Sequence, residues 1–301
     1  MKTDMLQGVV PILVTPFDED GRIDETSLRN LVDFNIAAGV HGLGVALGSE
    51  IFKLSEPERE QVTGVVVDTV RGRVPVVINT GAAGTDLAVY YSQLAERSGA
   101  DALMITPPSF AMGAPAGADE IREYYRAIAD AVTLPIVIQD TPAAPVSPGL
   151  ARQIAEECPT VRLIKVETPP VTTKVADMVA AAGDRLTVFG GAGGSYFIEE
   201  LRRGSLGTMP FCSQPEVFVA VWNLCRSGNT DAAREVFDRS IAPVTRITGQ
   251  GNGIFYHVHK ELLRHRGVIR TAKVRSPAPP VDQATRLELQ TLLDQLYPQS
   301  R

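Results

Sequence analysis

Pro135-Ile136-Val137-Ile138-Gln139-Asp140 is a short apolar run that ends abruptly on two polar residues. A run without polar alternation reads as a strand covered on both faces, the signature of a parallel sheet between helical layers. Val74-Pro75-Val76-Val77-Ile78-Asn79 upstream has the same form. Working outward from these two, strands are expected at Val9–Thr15, Gly42–Ala46, Val74–Asn79, Ala102–Thr106, Pro135–Asp140, Val161–Lys165, Leu186–Phe189 and Gly207–Phe211. Amphipathic helical patterns separate them: Asp24–Ala38, Ser55–Val70, Asp86–Ser98, Asp119–Ala131, Pro148–Glu157, Thr172–Ala182, Ser195–Arg203 and Pro215–Arg226. Their ends are punctuated consistently. Ser55-Glu56-Pro57-Glu58 supplies a cap, an early proline and a capping-box glutamate, and Gly39, Gly99 and Gly183 follow helix ends.

Eight strand–helix units between Gly8 and Ser227 average about 27 residues, near the unit size of a (β/α)8 TIM barrel of roughly 250 residues. No G-x-G-x-x-G follows the first strand, which argues against a doubly wound open sheet. Beyond Ser227 the strand signals stop, and helices are expected at Asp231–Thr248, Ile254–Arg266 and Asp282–Leu296. The expectation is an α/β chain with a barrel over residues 1–228 and three C-terminal helices, residues 229–301, packed on it.

The 301 residues are 44% hydrophobic and 21% charged, which is globular composition with material for a large core. Lys and Arg number 29 against 35 Asp and Glu, a net charge of −6 without a basic stripe, so no nucleic-acid partner is expected. Cys158, Cys212 and Cys225 fit no zinc spacing and read as reduced thiols. No signal-peptide pattern and no apolar run of about 18 residues occurs, so no membrane association and a cytoplasmic location are expected.

Catalytic residues of such a barrel lie at the C-terminal ends of its strands. Lys165 stands out there, closing Val161-Arg162-Leu163-Ile164-Lys165. Removal from water biases an amine to its neutral, nucleophilic form, suited to a Schiff base with a carbonyl; an ion pair with Glu167 or Asp140 is the alternative reading. The Gly190–Ser195 loop lacks the Gly-Lys-Ser/Thr ending of a phosphate loop and reads as a plain strand-to-helix turn or as a loop that lets substrate approach closely. His41, His257, His259 and His265 form no metal-ligand pattern, so neither metal nor organic cofactor is expected.

With Lys165 reached, the chain resembles the dihydrodipicolinate synthase / N-acetylneuraminate lyase family. The resemblance is carried by Gly8-Val9-Val10-Pro11-Ile12-Leu13-Val14-Thr15-Pro16-Phe17, Gly48-Ser49-Glu50 through Arg59, Gly99-Ala100-Asp101-Ala102, Thr106-Pro107-Pro108 and Ile164-Lys165. It implies that Lys165 is the Schiff-base lysine and that the protein is a homotetramer or homodimer acting on a small 2-oxo acid.

Three departures narrow the implied activity. The family's Gly-Thr-Thr-Gly-Glu carboxylate loop stands here as Ala46-Leu47-Gly48-Ser49-Glu50, leaving Gly48, the Ser49 hydroxyl and nearby amides for that contact. The family's Tyr-Asn-x-Pro is Gln139-Asp140-Thr141-Pro142, and glutamine cannot replace a proton-shuttling phenol. The second tyrosine and the arginine of the synthases fall on Ser109 and Ala144. Gln139-Asp140-Thr141-Pro142-Ala143 and Lys165-Val166-Glu167-Thr168-Pro169 look instead like the 2-keto-3-deoxy-sugar-acid dehydratases, notably the L-2-keto-3-deoxyarabonate branch.

The resemblance therefore implies a lyase that dehydrates a 2-keto-3-deoxy sugar acid. The alternatives are a pyruvate-dependent aldolase or 4-hydroxy-tetrahydrodipicolinate synthase and, more remotely, a barrel that binds a sugar acid without turnover. Lys165 and Gln139 are the candidate catalytic residues. Ser49, Gly48, Glu50, Thr106, Ser109, Asp140, Glu167 and Gly191 are the candidate substrate contacts, with Glu50, Asp140 and Glu167 the carboxylates available as a base.

Overall fold

The computed structural model describes residues 6–108, 116–251 and 253–298. Its strands are β1 (Gly8–Val9), β2 (Leu43–Val45), β3 (Val76–Asn79), β4 (Ala102–Ile105), β5 (Ile136–Asp140), β6 (Val161–Val166), β7 (Thr187–Gly190) and β8 (Gly207–Thr208). All pair in parallel, in the order β1-β8-β7-β6-β5-β4-β3-β2. Ile12 closes the ring through bridges to Gly44 on one side and Phe211 on the other. The expected (β/α)8 barrel is thus the fold.

The outer strands are shorter than expected because prolines interrupt them. Pro11 and Pro210 have no N–H to donate, so around them the ladder continues only through scattered bonds, Ile12 N–H to Pro210 O, Gly44 N–H to Pro11 O and Leu13 N–H to Gly44 O.

The barrel helices are α1 (Glu25–Ala37), α2 (Glu56–Val70), α3 (Thr85–Arg97), α4 (Ala118–Ala131), α5 (Pro148–Glu157), α6 (Val171–Ala182), α7 (Phe197–Leu201) and α8 (Pro215–Arg226). Helix α7 is shorter than the expected Ser195–Arg203, since a 3₁₀ turn at Ala192–Gly194 with positive φ at Ala192, Gly193 and Gly194 delays its start. Helices α9 (Thr230–Thr248), α10 (Phe255–His265) and α11 (Gln283–Leu296) complete the described chain. Among the described residues no helix is long and apolar enough to cross a membrane.

Strand alternation divides the core in two. Val77, Ala102, Met104, Val137, Leu163, Phe189 and Met209 fill the barrel interior. The residues between them, such as Ile78, Leu103, Ile138, Ile164 and Val188, pack outward against the helices. A period of two then sets the next inward residues toward the strand ends: Asn79 above Val77, Gln139 above Val137, and Lys165 above Leu163. The cysteines are free, Cys158 and Cys212 buried and Cys225 half-buried.

Candidate active site at the barrel mouth

A cavity of about 430 Å³ opens where β5, β6, β7 and β8 end. Gln139 and Lys165 are register partners on β5 and β6, so their side chains stand side by side at its floor. Lys165 is 5% exposed and its Nζ lies 3.1 Å from Glu167 Oε1. Leu163, Lys165 and Glu167 succeed one another on the inward face, so the amine and its carboxylate partner come from a single strand and its extension. Lys165 faces the cavity and is ion-paired there with Glu167, the first of the two partners expected for it.

Glu167 is held by three donors. Oε1 accepts from Lys165 and, at 3.2 Å, from the Ala192 N–H; Oε2 accepts from Gln139 Nε2 at 3.1 Å. Gln139 is oriented in turn, because its Oε1 accepts from Asn79 Nδ2 at 3.0 Å and Thr106 Oγ1 at 3.1 Å. Thr106 therefore stands behind Gln139, not on the cavity wall. Ala192 presents its amide from a left-handed conformation, φ 47°, that a non-glycine residue holds only when its surroundings require it.

Besides Thr106, three more of the candidate contacts are corrected. Asp140 is fully buried and faces away from the cavity. Its Oδ1 accepts from Val146 N–H, Thr168 Oγ1 and Lys174 Nζ, and its Oδ2 from the Glu167 and Thr168 amides, which leaves no lone pair for substrate. Its effect on the site is to fix the backbone that carries Glu167. Glu50 is likewise fully buried and turned outward, toward Lys53, Lys260 and the Arg275 amide. The Ser49 hydroxyl donates to Leu13 O and accepts from Ala46 N–H, so it ties its turn to the segment after β1 and is unavailable to a carboxylate. Ser109 lies outside the described residues.

Gly48 does reach the cavity, beside Leu47. Their 3₁₀ turn is closed by Ser49 N–H to Ala46 O and Glu50 N–H to Leu47 O, so the Leu47 and Gly48 amides are first-turn donors with no partner inside the turn. Gly191 is required by closeness. A Cβ there would lie 2.3 Å from Glu167 Cγ and 3.0 Å from Lys165 Cε.

The opposite wall comes from helices beyond the last strand, where a search of strand ends does not look. Thr245 and Thr248 of α9 and Phe255, Tyr256 and His259 of α10 line it, with Phe211. His259 Nδ1 lies 2.7 Å from Ser213 Oγ, and its ring stacks on Phe211 at 4.0 Å. Burial pushes its pKa down to about 3, so the imidazole is neutral at physiological pH. Cys212, next to Phe211, is fully buried and off the wall. Lys165 and Glu167 are the two side chains on the described cavity wall that carry a full charge.

A further carboxyl lies behind the site. Glu200 of α7 is fully buried against Gly190, and neither oxygen meets a side-chain donor. Burial pushes its pKa up to about 8, the Glu167 and Glu199 carboxylates add to the rise, and the Gly191 N–H and Lys165 oppose it. It is held as a neutral acid at pH 7.

Residues 5–296 match the model of the dihydrodipicolinate synthetase family. The chain is 30% identical over 297 residues to the L-2-keto-3-deoxyarabonate dehydratase of Azospirillum brasilense, covering 97% of this chain and 95% of that one. It is 31% identical over 296 residues to the 4-hydroxy-tetrahydrodipicolinate synthase of Syntrophobacter fumaroxidans, covering 95% and 97%. Among solved structures, a prophage protein of the dihydrodipicolinic acid synthase family from E. coli K12, in complex with pyruvate, superposes with a TM-score of 0.88 at 26% identity over 97% of this chain and 99% of the other.

Proposed function

The chain belongs to the dihydrodipicolinate synthetase family, a family of lyases, and from that premise we propose that it dehydrates a 2-keto-3-deoxy sugar acid through a Schiff base on Lys165. The observation that carries this reading is the pairing of the Lys165 amine with Glu167, with Gln139 beside them at the end of β5, while the phenol of Tyr256 on the described wall is turned to Leu47 O.

In the proposed reaction the substrate carboxylate is received by the Leu47 and Gly48 amides. Lys165 Nζ adds to the C2 carbonyl and water leaves, giving an iminium that acidifies the C3 protons. Glu167 takes a C3 proton, and the electron pair forms an enamine. That pair then expels the C4 hydroxyl, which departs as water with a proton returned from the Glu167 carboxylic acid. Hydrolysis of the unsaturated iminium frees Lys165 and an acid of unchanged carbon number. Gln139 holds Glu167 in place and has no proton to give or take. No second cation on the described wall waits for another carboxylate, which favours a neutral, hydroxylated tail.

Kinship with the synthases keeps a second reading in view, a pyruvate-dependent aldolase or synthase. Gln139, at the strand position where the family's pattern has a tyrosine, weighs against it, and the Tyr256 hydroxyl is engaged with Leu47 O. We further read the protein as cytoplasmic and as a homotetramer or homodimer, an oligomeric state that sedimentation would establish.

The test is borohydride reduction in the presence of pyruvate or a 2-keto-3-deoxy acid, with peptide mass analysis of the product. The expected result is the reduced ligand mass on Lys165; an unlabelled lysine under conditions that label a class I aldolase sinks the proposal. Incubation with a panel of 2-keto-3-deoxy acids should consume substrate without releasing pyruvate, and pyruvate release at a matching rate would favour the aldolase.

A further inference from the structure

Glu50 and Lys260 are 210 residues apart in sequence, yet they form a fully buried ion pair in the seam between the β2–α2 connection and α10. Lys260 Nζ also donates to Lys273 O at 2.8 Å and lies 4.4 Å from the centre of the Phe17 ring. The second oxygen of Glu50 accepts from Lys53 Nζ at 3.1 Å and from the Arg275 N–H at 3.2 Å. Taking two charges out of water is costly, and such a pair is seldom a net source of stability compared with apolar packing. Its position suggests another use.

Glu50 joins two 3₁₀ turns, Leu47–Ser49 and Ile51–Lys53, in a left-handed conformation with φ 56°. Without glycine, that conformation persists only where neighbouring contacts hold it. At the other end of the first turn, Tyr256 Oη donates to Leu47 O at 2.8 Å. Helix α10 therefore grips the turn twice, Tyr256 at Leu47 and Lys260 at Glu50, and the Leu47 and Gly48 amides lie between the two grips.

We propose that Lys260, acting through Glu50, is a positioning residue that holds the Leu47–Gly48 amides where they receive the carboxylate of a 2-oxo acid. The proposal rests on the reading of Lys165 as the Schiff-base amine, but the placement of the turn can be measured without it. Lys260 touches no reacting atom. Its expected effect is on how much 2-oxo acid is needed, not on how fast the bound acid reacts.

Two variants and two readouts test this. Glu50→Gln/Lys260→Met removes the pair without leaving a lone buried charge, and Tyr256→Phe removes the other grip with minimal change of shape. Amide hydrogen exchange is measured over residues 46–50 and over β5 and β6. In parallel, the pyruvate concentration giving half-maximal borohydride-trapped adduct is determined.

The double variant should exchange at least tenfold faster at residues 46–50 with β5 and β6 unchanged, and should need about tenfold more pyruvate at an unchanged maximal trapping rate. Tyr256→Phe should need about fivefold more, the worth of one hydrogen bond. Lys260→Arg, which keeps the cation, should return part of the loss. Unchanged exchange in the turn overturns the proposal, as does loosening spread equally over β5 and β6, which is what a purely structural pair would give. If the double variant does not fold, Glu50→Gln alone, which weakens the pair while keeping the side-chain shape, decides by the same criteria. If the native protein gives no adduct at all, the Schiff-base reading fails while exchange in the turn still decides whether α10 holds it.

Discussion

Gln139 donates its carboxamide N–H to Glu167 across 3.1 Å, and the oxygen that does not receive it faces the Lys165 amine at the same distance. The carboxylate is thus divided between a neutral residue that fixes it and a base that it can serve. In the proposed mechanism Glu167 acts after the iminium forms, so its loss separates adduct formation from turnover.

Glu167→Gln should accordingly retain the borohydride-trapped adduct on Lys165 while turnover of a 2-keto-3-deoxy acid falls by about 10²–10⁴, the usual contribution of a positioned base. Mass analysis and a steady-state assay on the same preparation check it. Turnover within about threefold of the native protein would remove Glu167 from the proton transfer.

Two adjacent glycines give opposite-facing probes of the site. At Gly190 a Cβ would lie 1.7 Å from Glu200 Oε2, in the closed layer between β7 and α7. Gly190→Ala should therefore cost about 1–3 kcal/mol or more in denaturant unfolding through overpacking. At Gly191 the Cβ would meet Glu167 Cγ at 2.3 Å and Lys165 Cε at 3.0 Å, the two side chains of the proposed chemistry, which would have to turn aside. Gly191→Ala should lose at least tenfold in adduct formation with a smaller loss of stability. Equal stability losses and equal activities in the two variants would contradict the assigned facing.

Glu200 makes stability depend on alkali. Its folded pKa, about 8, lies above the ordinary value of 4.5, so the folded state holds a proton that the unfolded chain has released. The resulting contribution is fully present below pH 4.5 and is lost as pH rises toward 8. Glu200→Gln removes the titration. It should be about as stable as the native protein near pH 4.5 and more stable at pH 8 by roughly 2–4 kcal/mol. Urea melts at the two pH values measure the difference, and a gain that does not grow with pH would show that Glu200 ionises freely.

Asp24 works in the other direction. Burial alone would raise it, but Arg270, at 2.7 Å, and the Ser27 hydroxyl and amide prevail and hold its pKa at about 2, below the ordinary 3.8. Stability from this group is present above pH 3.8 and is lost as pH falls through 2. Asp24→Asn should flatten that part of the acid transition while lowering stability at pH 7. An unchanged acid limb in thermal melts between pH 4 and 2 would contradict it.

The parts of the fold legible in the sequence are those governed by local periodicity. Val161-Arg162-Leu163-Ile164-Lys165-Val166-Glu167 contains, in its alternation alone, the inward placement of both the amine and its carboxylate partner. What the sequence does not display is which of three rim carboxylates turns inward. Asp140 and Glu50 are drawn away by Lys174 and Lys260, 34 and 210 residues distant. The Ser49 hydroxyl is claimed by Leu13, in a segment that only the closure of the ring brings near. The histidines of α10 carry a signal of another kind, polar residues on a helix that must pack. Their spacing excludes a metal-ligand pattern, but it contains nothing that places His259 at a cavity built by β5 to β8.

The cavity wall built by α9 and α10 separates two kinds of evolutionary freedom. The amine, its carboxylate and the glutamine that orients it stand on or just beyond β5 and β6, where a replacement disturbs the barrel as well as the chemistry. Thr245, Thr248, Phe255 and His259 stand on no strand. Exchanges among them would resize or repolarise the far end of the chamber without touching the strands that carry Lys165, Glu167 and Gln139.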